Sequence, residues 1–410
     1  GYRPNTDFNL KTATYGFDYH FFGQHLAVLA GFTDKKFGAN SFYSAAYPDQ
    51  WERTQTSIAK TGLSGNIFSL NYSGNIFWRY HTDDYMLIRA NPSYYHNRHF
   101  TNVYGGDFQL NKPNILGNTS LGAEVIKERI NSNNLGTHQR TKSGLFFEHQ
   151  IQVSKWHFTL GSTLYRFSDW GWKAWPGLDV GYKVSTHNNL YASAGYAFRT
   201  PTYTELYYNS PTNHGDENLN AERGWNYELG WRFSDDNIYT NVALFRREGD
   251  NLIDWVWQPS DSLWQVRNIT EVNTNGIELD GKFSDIYQNS SFGLNSVNYG
   301  YTYLNSEKNL PGLTSQYVLN YLRHQAYIGV KIFLFTRSLI FGTKYRFENR
   351  VGYGERNFVD LHLAFDYKNL PGFFINVSNV FDQQYEDLYS IPLPGRWIKV
   401  GINFNYKSGN

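Results

Sequence analysis

Apolar and polar residues alternate along most of the chain. Leu178, Val180, Tyr182 and Val184 interleave with Gly177, Asp179, Gly181 and Lys183, and Tyr227, Leu229, Trp231 and Phe233 interleave with Asn226, Glu228, Gly230 and Arg232. The same pattern runs through Val359, Leu361, Leu363, Phe365 and Tyr367, and through Ile398, Val400, Ile402, Phe404 and Tyr406. Successive side chains of a strand point to opposite faces, so a period of two predicts strands with one apolar and one polar face. This template gives roughly 19 strands of about 10 residues, the length a tilted membrane strand needs. Helical spacing is not evident.

The connections predict how the strands are joined. Thr186 to Asn189, Ser234 to Asn237, Phe335 to Ser338 and Lys368 to Gly372 read as tight turns, and 199–225, 247–275, 304–322 and 382–395 as long loops. Short turns at one end and long loops at the other are the signature of an up-and-down antiparallel barrel, and a soluble all-β protein gives no reason for that asymmetry. The fold class expected is therefore all-β, a transmembrane antiparallel up-and-down β-barrel, with residues 1–410 as one domain. An odd strand count and an even rule for single-chain barrels imply further strands in the complete wall, about 22 in a plugged transporter. Residues 1–7 then belong to an outer loop.

Composition supports this reading. Aromatics make up 18% of residues (Tyr 33, Phe 30, Trp 12), as many as the 18% that are charged, in a chain that is hydrophilic on average and has no apolar run of membrane-helix length. Strands that show lipid only every second residue reconcile those facts. A net charge of +1 with scattered Lys and Arg gives no case for nucleic acid, and the absence of cysteine excludes disulfides and thiolate metal sites.

Two stretches resemble the TonB-dependent receptor barrel. The first is Ala197-Phe198-Arg199-Thr200-Pro201 with Glu205-Leu206-Tyr207, Asn218-Leu219, Glu222 and Glu228-Leu229-Gly230. The second is Asn376-Val377-Ser378-Asn379-Val380-Phe381-Asp382 with Tyr385 and Pro394-Gly395-Arg396, for which Asn275-Gly276-Ile277-Glu278 is a weaker companion. Phe37 to Tyr43 with Tyr47-Pro48, and Arg79 to Tyr85, are similar to the vitamin B12 receptors that work beneath a surface lipoprotein. The resemblance implies a Gram-negative outer-membrane importer of cobalamin, with iron chelates (siderophore or haem) as the alternative cargo. Its implied partners are the TonB complex, engaged through a plug domain that nothing in these residues resembles, a surface lipoprotein and outer-membrane lipid. The family's last strand usually ends on an aromatic residue, whereas Tyr406 is followed by Lys407-Ser408-Gly409-Asn410.

Candidate chemistry divides into rings and charges. Trp170, Trp172 and Trp175, then Tyr203, Tyr207 and Tyr208, then Trp255, Trp257 and Trp264 fall in expected outer loops, where they suit capture of a large, partly apolar ligand. The other reading of such rings is the interfacial girdle of any membrane barrel. Glu228, Arg232, Asp280, Lys282, Asp360, His362 and Asp366 alternate with the apolar set and are expected to face the lumen, as plug contacts or as a solvated wall. No cofactor is implied. His20 with His25, His81 with Asp83 and Asp84, and His96 with His99 lack a second ligand pair, and no GxSxG, HExxH, phosphate loop or dinucleotide fingerprint occurs, so no enzyme is expected. A passive porin-like barrel is the rival of another class; it accounts for the alternation but not for the two matched stretches.

Overall fold

The computed structural model describes residues 3–43, 46–210, 212–260, 262–288, 291–308, 314–315, 321–335, 338–366, 371–386 and 392–403. One 21-stranded sheet holds nearly all of them. Two of its strands, Asn213–His214 and Thr314–Ser315, are only two residues long; the other nineteen run from Phe8–Phe21 to Trp397–Asn403. These nineteen pair antiparallel, each with the next along the chain, so the expected meander is the observed one. Among the described residues Phe8–Phe21 pairs with Gln24–Gly38, Trp397–Asn403 pairs with Gly372–Ser378, and the two do not pair with each other, so the sheet is open.

Alternation sorts the two faces as expected. Leu178, Leu229, Leu244 and Val400 are 43%, 58%, 49% and 69% exposed on the apolar face. In water each would forfeit on the order of 1 kcal/mol of transfer energy, and a lipid-facing wall removes that cost. The polar face carries rings laid flat over glycines. Tyr191 opposes Gly230, Phe245 opposes Gly276, Tyr327 opposes Gly300 and Phe146 opposes Gly122. A Cβ on any of these four glycines would lie within 2.3 Å of the facing ring. Glycine is thus required there by close approach, a device that lets a sheet curve toward its ring-bearing face.

At one end the turns are minimal. Phe22-Gly23, Phe68-Ser69, Ile115-Leu116 and Ser154-Lys155 are two-residue connections, with Phe22, Phe68 and Ser154 at φ of 45°, 55° and 54°. Such left-handed turns match the twist of the paired strands. Of the turns read from the sequence, Thr186 to Asn189 falls two residues earlier, at 184–187, and Ser234 to Asn237 at 235–237, and both are tight; the tips of the two others, residues 336–337 and 367–370, lie outside the described residues, as do Phe404, Tyr406 and the tail after it.

The other end departs from expectation in three ways. Strict alternation of turn length fails, because 133–135, 168–170 and 351–353 are three-residue connections on the long-loop side. Residues 247–275 are not a loop: Ile238–Gln258 and Leu263–Gln288 stay paired out to Gln258 and Leu263, because Leu252, Ile253, Val256, Val266 and Ile269 supply the β-branched and apolar set that a strand packs well. Residues 200–210 and 212–221 are folded, with a one-turn helix α1 (Tyr203–Tyr207) and the short strand Asn213–His214, parallel to Trp264-Gln265. Most of 304–322 and residues 387–391 lie outside the described residues. Arg3, Asn5 and Asp7 sit at this end as expected, with Asp7 bonded to Arg89 at 2.7 Å.

Candidate functional site

The first matched stretch closes on itself at the long-loop end. Arg199, the last residue of its strand, donates to Glu205 at 3.0 Å twice and to Glu222 at 2.6 Å twice. The two carboxylates are largely buried, and each has a second task. Glu205 accepts from the Thr202 amide at 2.7 Å while the Thr202 hydroxyl caps the Glu205 amide, a reciprocal capping box that starts α1. Glu222 accepts from the Ile253 amide at 2.7 Å and so ties the clamp to the projecting hairpin. Leu206 and Leu219 pack with Ile253 and Val266 into a small buried core, with Tyr207 and Trp255 against it. Asn218 turns the chain into this core, its amide and side chain both bonded to Asp216. Pro201 is fully buried.

A second arginine, not singled out in the sequence, locks the same loop from the neighbouring strands. Arg140 is 7% exposed and donates to Asp169 at 2.6 Å, to Thr200 at 3.1 Å and to the Pro201 carbonyl at 3.1 Å. Its companion His138 stacks on Tyr207 with ring centroids 3.6 Å apart. The alternating basic run His138-x-Arg140-x-Lys142 on one strand face was the available signal. Arg140 and Lys142 help line a cavity of about 430 Å³ with Trp175, Phe198, Arg199 and Tyr203. Nη2 of Arg140 and the hydroxyl of Tyr203 are buried with no hydrogen-bond partner among the described residues. Leaving a buried polar group of this kind unpaired costs about 1–3 kcal/mol.

Tyr208 leaves α1 for a polar network. Tyr95 donates to its hydroxyl at 3.3 Å, and Asn97 and Asn134 donate to Tyr95 at 3.2 and 3.1 Å. Burial, then the bond from Tyr95, pushes the Tyr208 phenol well above its ordinary value, and burial raises Tyr203 and Tyr207 in the same direction.

The rings expected as ligand contacts therefore separate. Tyr207, Tyr208 and Trp255 come together around the clamp, with Tyr208 edge-on to Trp255 at 6.2 Å. Trp175 lies against Tyr165, Phe167 and Phe198 beside the cavity. Trp257 and Trp264 pair edge-on at 5.5 Å near the hairpin tip, in strands rather than a loop. Trp172 and Trp175 belong to the strand Gly171–Lys183, not to a loop, and their odd spacing puts them on opposite faces; Trp172 is 60% exposed on the apolar one. Trp170 sits in the three-residue turn before it.

The second matched stretch builds a loop return. Asn379 and Asp382 adopt φ of 51° and 55°; the Asn379 side chain bonds the Gln383 backbone on both sides, and its own amide donates to Asp360 at 2.9 Å. Asp382 accepts from the Arg396 amide at 2.6 Å, and a Cβ on Gly395 would lie 2.2 Å from that carboxylate, so the Pro394-Gly395-Arg396 return needs glycine at its centre. Phe381 is 74% exposed.

The polar-face charges lie in cross-strand rows. Arg232 opposes Asn241, which opposes Asp280, and Arg232 lies over the Tyr191 ring at 5.3 Å. Lys282 opposes Asn298; Asp360 opposes Lys344 and pairs with Arg346 at 3.4 Å; His362 bonds Asn376; Glu228 opposes Ser193. They do not converge on the clamp. Asp366 lies just past its strand and makes a backbone bond to Ser338. Groups of three or more possible metal ligands are absent among the described residues.

An open, single-sheet antiparallel wall with an apolar outer face, minimal turns at one end and folded loops at the other is the architecture of an outer-membrane-type β-barrel. Its sequence matches the family model described as TonB dependent receptor-like, beta-barrel, over residues 1–389, and the chain belongs to that family of outer-membrane receptors of Gram-negative bacteria. It is 26% identical over 174 residues to the vitamin B12 transporter BtuB of Photobacterium profundum, a match covering 40% of this chain and 28% of that protein. The match thus spans little more than a quarter of that relative's length. Among solved structures, the siderophore receptor PirA from Pseudomonas aeruginosa superposes with a TM-score of 0.75 at 17% identity, covering 96% of this chain and 70% of that one. A Serratia marcescens hemophore receptor HasR, solved with its hemophore HasA and heme, gives a TM-score of 0.78 at 16% identity, covering 97% and 72%.

Proposed function

We propose that these residues form, as one domain, most of the barrel wall of a TonB-dependent importer, and that its cargo is cobalamin. The long loops face outside the cell, and the polar face with Glu228, Arg232, Asp280, Lys282, Asp360 and His362 lines the lumen. In the whole receptor a plug fills that lumen and passes the pull of TonB to it, and a surface lipoprotein covers the outer mouth. The chain carries out no bond chemistry on its cargo.

The observation that carries the reading is the clamped outer mouth. Arg199 and Arg140 fix the loop that carries Tyr207 and Tyr208, with Trp255 packed on the same small core, beside a cavity lined by Arg140, Lys142 and Tyr203. Rigid rings with a few oriented donors suit a large ligand with an apolar ring system and an amide-rich edge. The similarity to vitamin B12 transporters favours cobalamin among such ligands. Calorimetry of full-length receptor with cobalamin, and with a ferric siderophore as comparison, tests it. Selective cobalamin binding is expected; binding of the iron chelate alone would move the chain to the second reading, which the fold neighbours that are siderophore and hemophore receptors favour.

A further inference from the structure

Two carboxylates on the polar face are used by neither the clamp nor the import reading. The strands Trp51–Ile67 and Leu70–Met86 pair residue for residue, so Glu52 stands opposite Tyr85 and Thr54 opposite Asp83. Glu52 and Asp83 are therefore diagonal neighbours on one face, the spacing at which side chains of adjacent strands interact. Each strand is 17 residues long, and a tilted span uses about 10 of them, counted from the short-turn end. Both carboxylates thus stand beyond the lipid, at the long-loop mouth.

Glu52 is 6% exposed and accepts from the Tyr43 hydroxyl. Tyr43 belongs to the 39–50 connection, where the amides of Ala39, Phe42 and Tyr43 donate to the Gln50 carbonyl at 2.8 Å, the Ala39 carbonyl at 2.9 Å and the Gln50 side chain at 3.0 Å. The Tyr43 ring also meets Tyr85 edge-on at 5.1 Å, so the connection is docked on the wall beside the two acids. Asp83 makes no ion pair among the described residues, and its Oδ1 is buried without a hydrogen bond. Its charged and titratable neighbours do not neutralise it. Lys35 holds its ammonium over the Phe37 ring at 4.4 Å. His99 bonds Ser132 and His81 bonds Thr56; burial lowers both imidazoles, with the Arg79 charge adding at His81, so both are neutral at neutral pH. Asp84 turns to the opposite face, where it meets His96, and burial keeps the Tyr85 phenol neutral. Burial first, then the charges of Glu52 and Asp84, pushes the Asp83 carboxyl up to about 7, and burial raises Glu52 against the Tyr43 bond.

We propose that Glu52 and Asp83 share one proton and form a pH-sensitive latch that holds the 39–50 connection on the wall at the outer mouth. With the proton present, one acid and one carboxylate sit side by side and Tyr43 stays on Glu52. Its loss leaves two neighbouring anions poorly solvated, and undocking the connection admits water to both. The undocked Asp83 returns to the ordinary carboxylate value of about 3.9, below its docked value, so docking is strongest below about pH 4 and weakens as pH rises to about 7. Hydrogen exchange of full-length receptor in detergent micelles between about pH 5 and about pH 8, corrected for intrinsic chemical exchange, tests this. The opening equilibrium at the amides of Ala39, Phe42 and Tyr43 is expected to rise about tenfold per pH unit up to about pH 7 and then level off. D83N, which cannot ionise, should keep at about pH 8 the protection that the wild type has at about pH 5, and E52Q should move the rise to lower pH. Flat wild-type opening would overturn the latch. So would a D83N protein that keeps its heat-dependent gel shift yet retains the rise or is less protected than the wild type at about pH 8. A rise unmoved in E52Q would overturn the pairing of the two acids.

Discussion

Replacing Arg199 with alanine removes the one cation between two carboxylates. Glu205 and Glu222, with side chains only 16% and 17% exposed, would then face each other without their four charge-assisted bonds. Breaking a buried pair from one side costs about 3–5 kcal/mol, and because the Arg199 side chain is itself 42% exposed, solvent screening reduces this to about 2–3 kcal/mol. The cost falls on a subunit of the fold rather than on the whole wall, since the clamp joins α1 and the 250–271 hairpin but no strand pairing at the short-turn end. Hydrogen exchange in detergent micelles reads it directly. The amides of Leu206, Tyr208 and Asp216, bonded to Thr202, Thr204 and Glu205, should exchange about 30- to 150-fold faster, with the short-turn strands unchanged. Unaltered exchange at those three amides would refute the clamp; uniform acceleration everywhere would refute its local character.

Three further outcomes are expected. Gly395→Ala should push the Asp382 carboxylate off the Arg396 amide and lower stability by about 1–3 kcal/mol in urea unfolding, and the added Asp382→Ala change should recover part of that loss. Gly230→Ala should cost about 1–3 kcal/mol through collision with Tyr191, and Gly230→Ala with Tyr191→Ala should lose less than the sum of the single changes. Burial raises the folded-state pKa of Tyr208 above its unfolded value of about 10, so its neutral-phenol contribution is fully present below about pH 10 and is lost as pH rises through the raised value. Difference absorbance between wild type and Tyr208→Phe should therefore show no phenolate from this residue at about pH 11; its appearance there would show that the Tyr95 network does not shield it.

Much of the wall was legible in the residues because a strand's period is two and needs no distant information. Leu178 to Tyr182 and Tyr227 to Phe233 fall in strands whose faces are the ones their alternation implied, while Val184 already belongs to the turn. The errors arose where rings suggested loops. Leu252 to Trp257 continues the strand pattern with β-branched and aromatic residues, and counting Trp172 and Trp175 by parity separates them, although both stretches read as outer loops from the sequence. Helix α1 was also readable, from Thr202 and Glu205 at capping-box spacing. The site itself was only half legible. Arg199, Glu205 and Glu222 stand within 23 residues and were picked out together by resemblance, but Arg140 meets Pro201 across 61 residues of meander, and only the strand register brings them together.

The rings lying over glycines have a bearing on the bore. A side chain standing upright from each strand would narrow the interior by its own length, and its reach would vary with every rotamer. Where Tyr191, Phe245, Tyr327 and Phe146 lie flat in the places their glycine partners leave empty, the inner surface follows the backbone. The width available to whatever occupies that interior is then set by strand number and tilt, and the tubing is smooth-bored along those tracks.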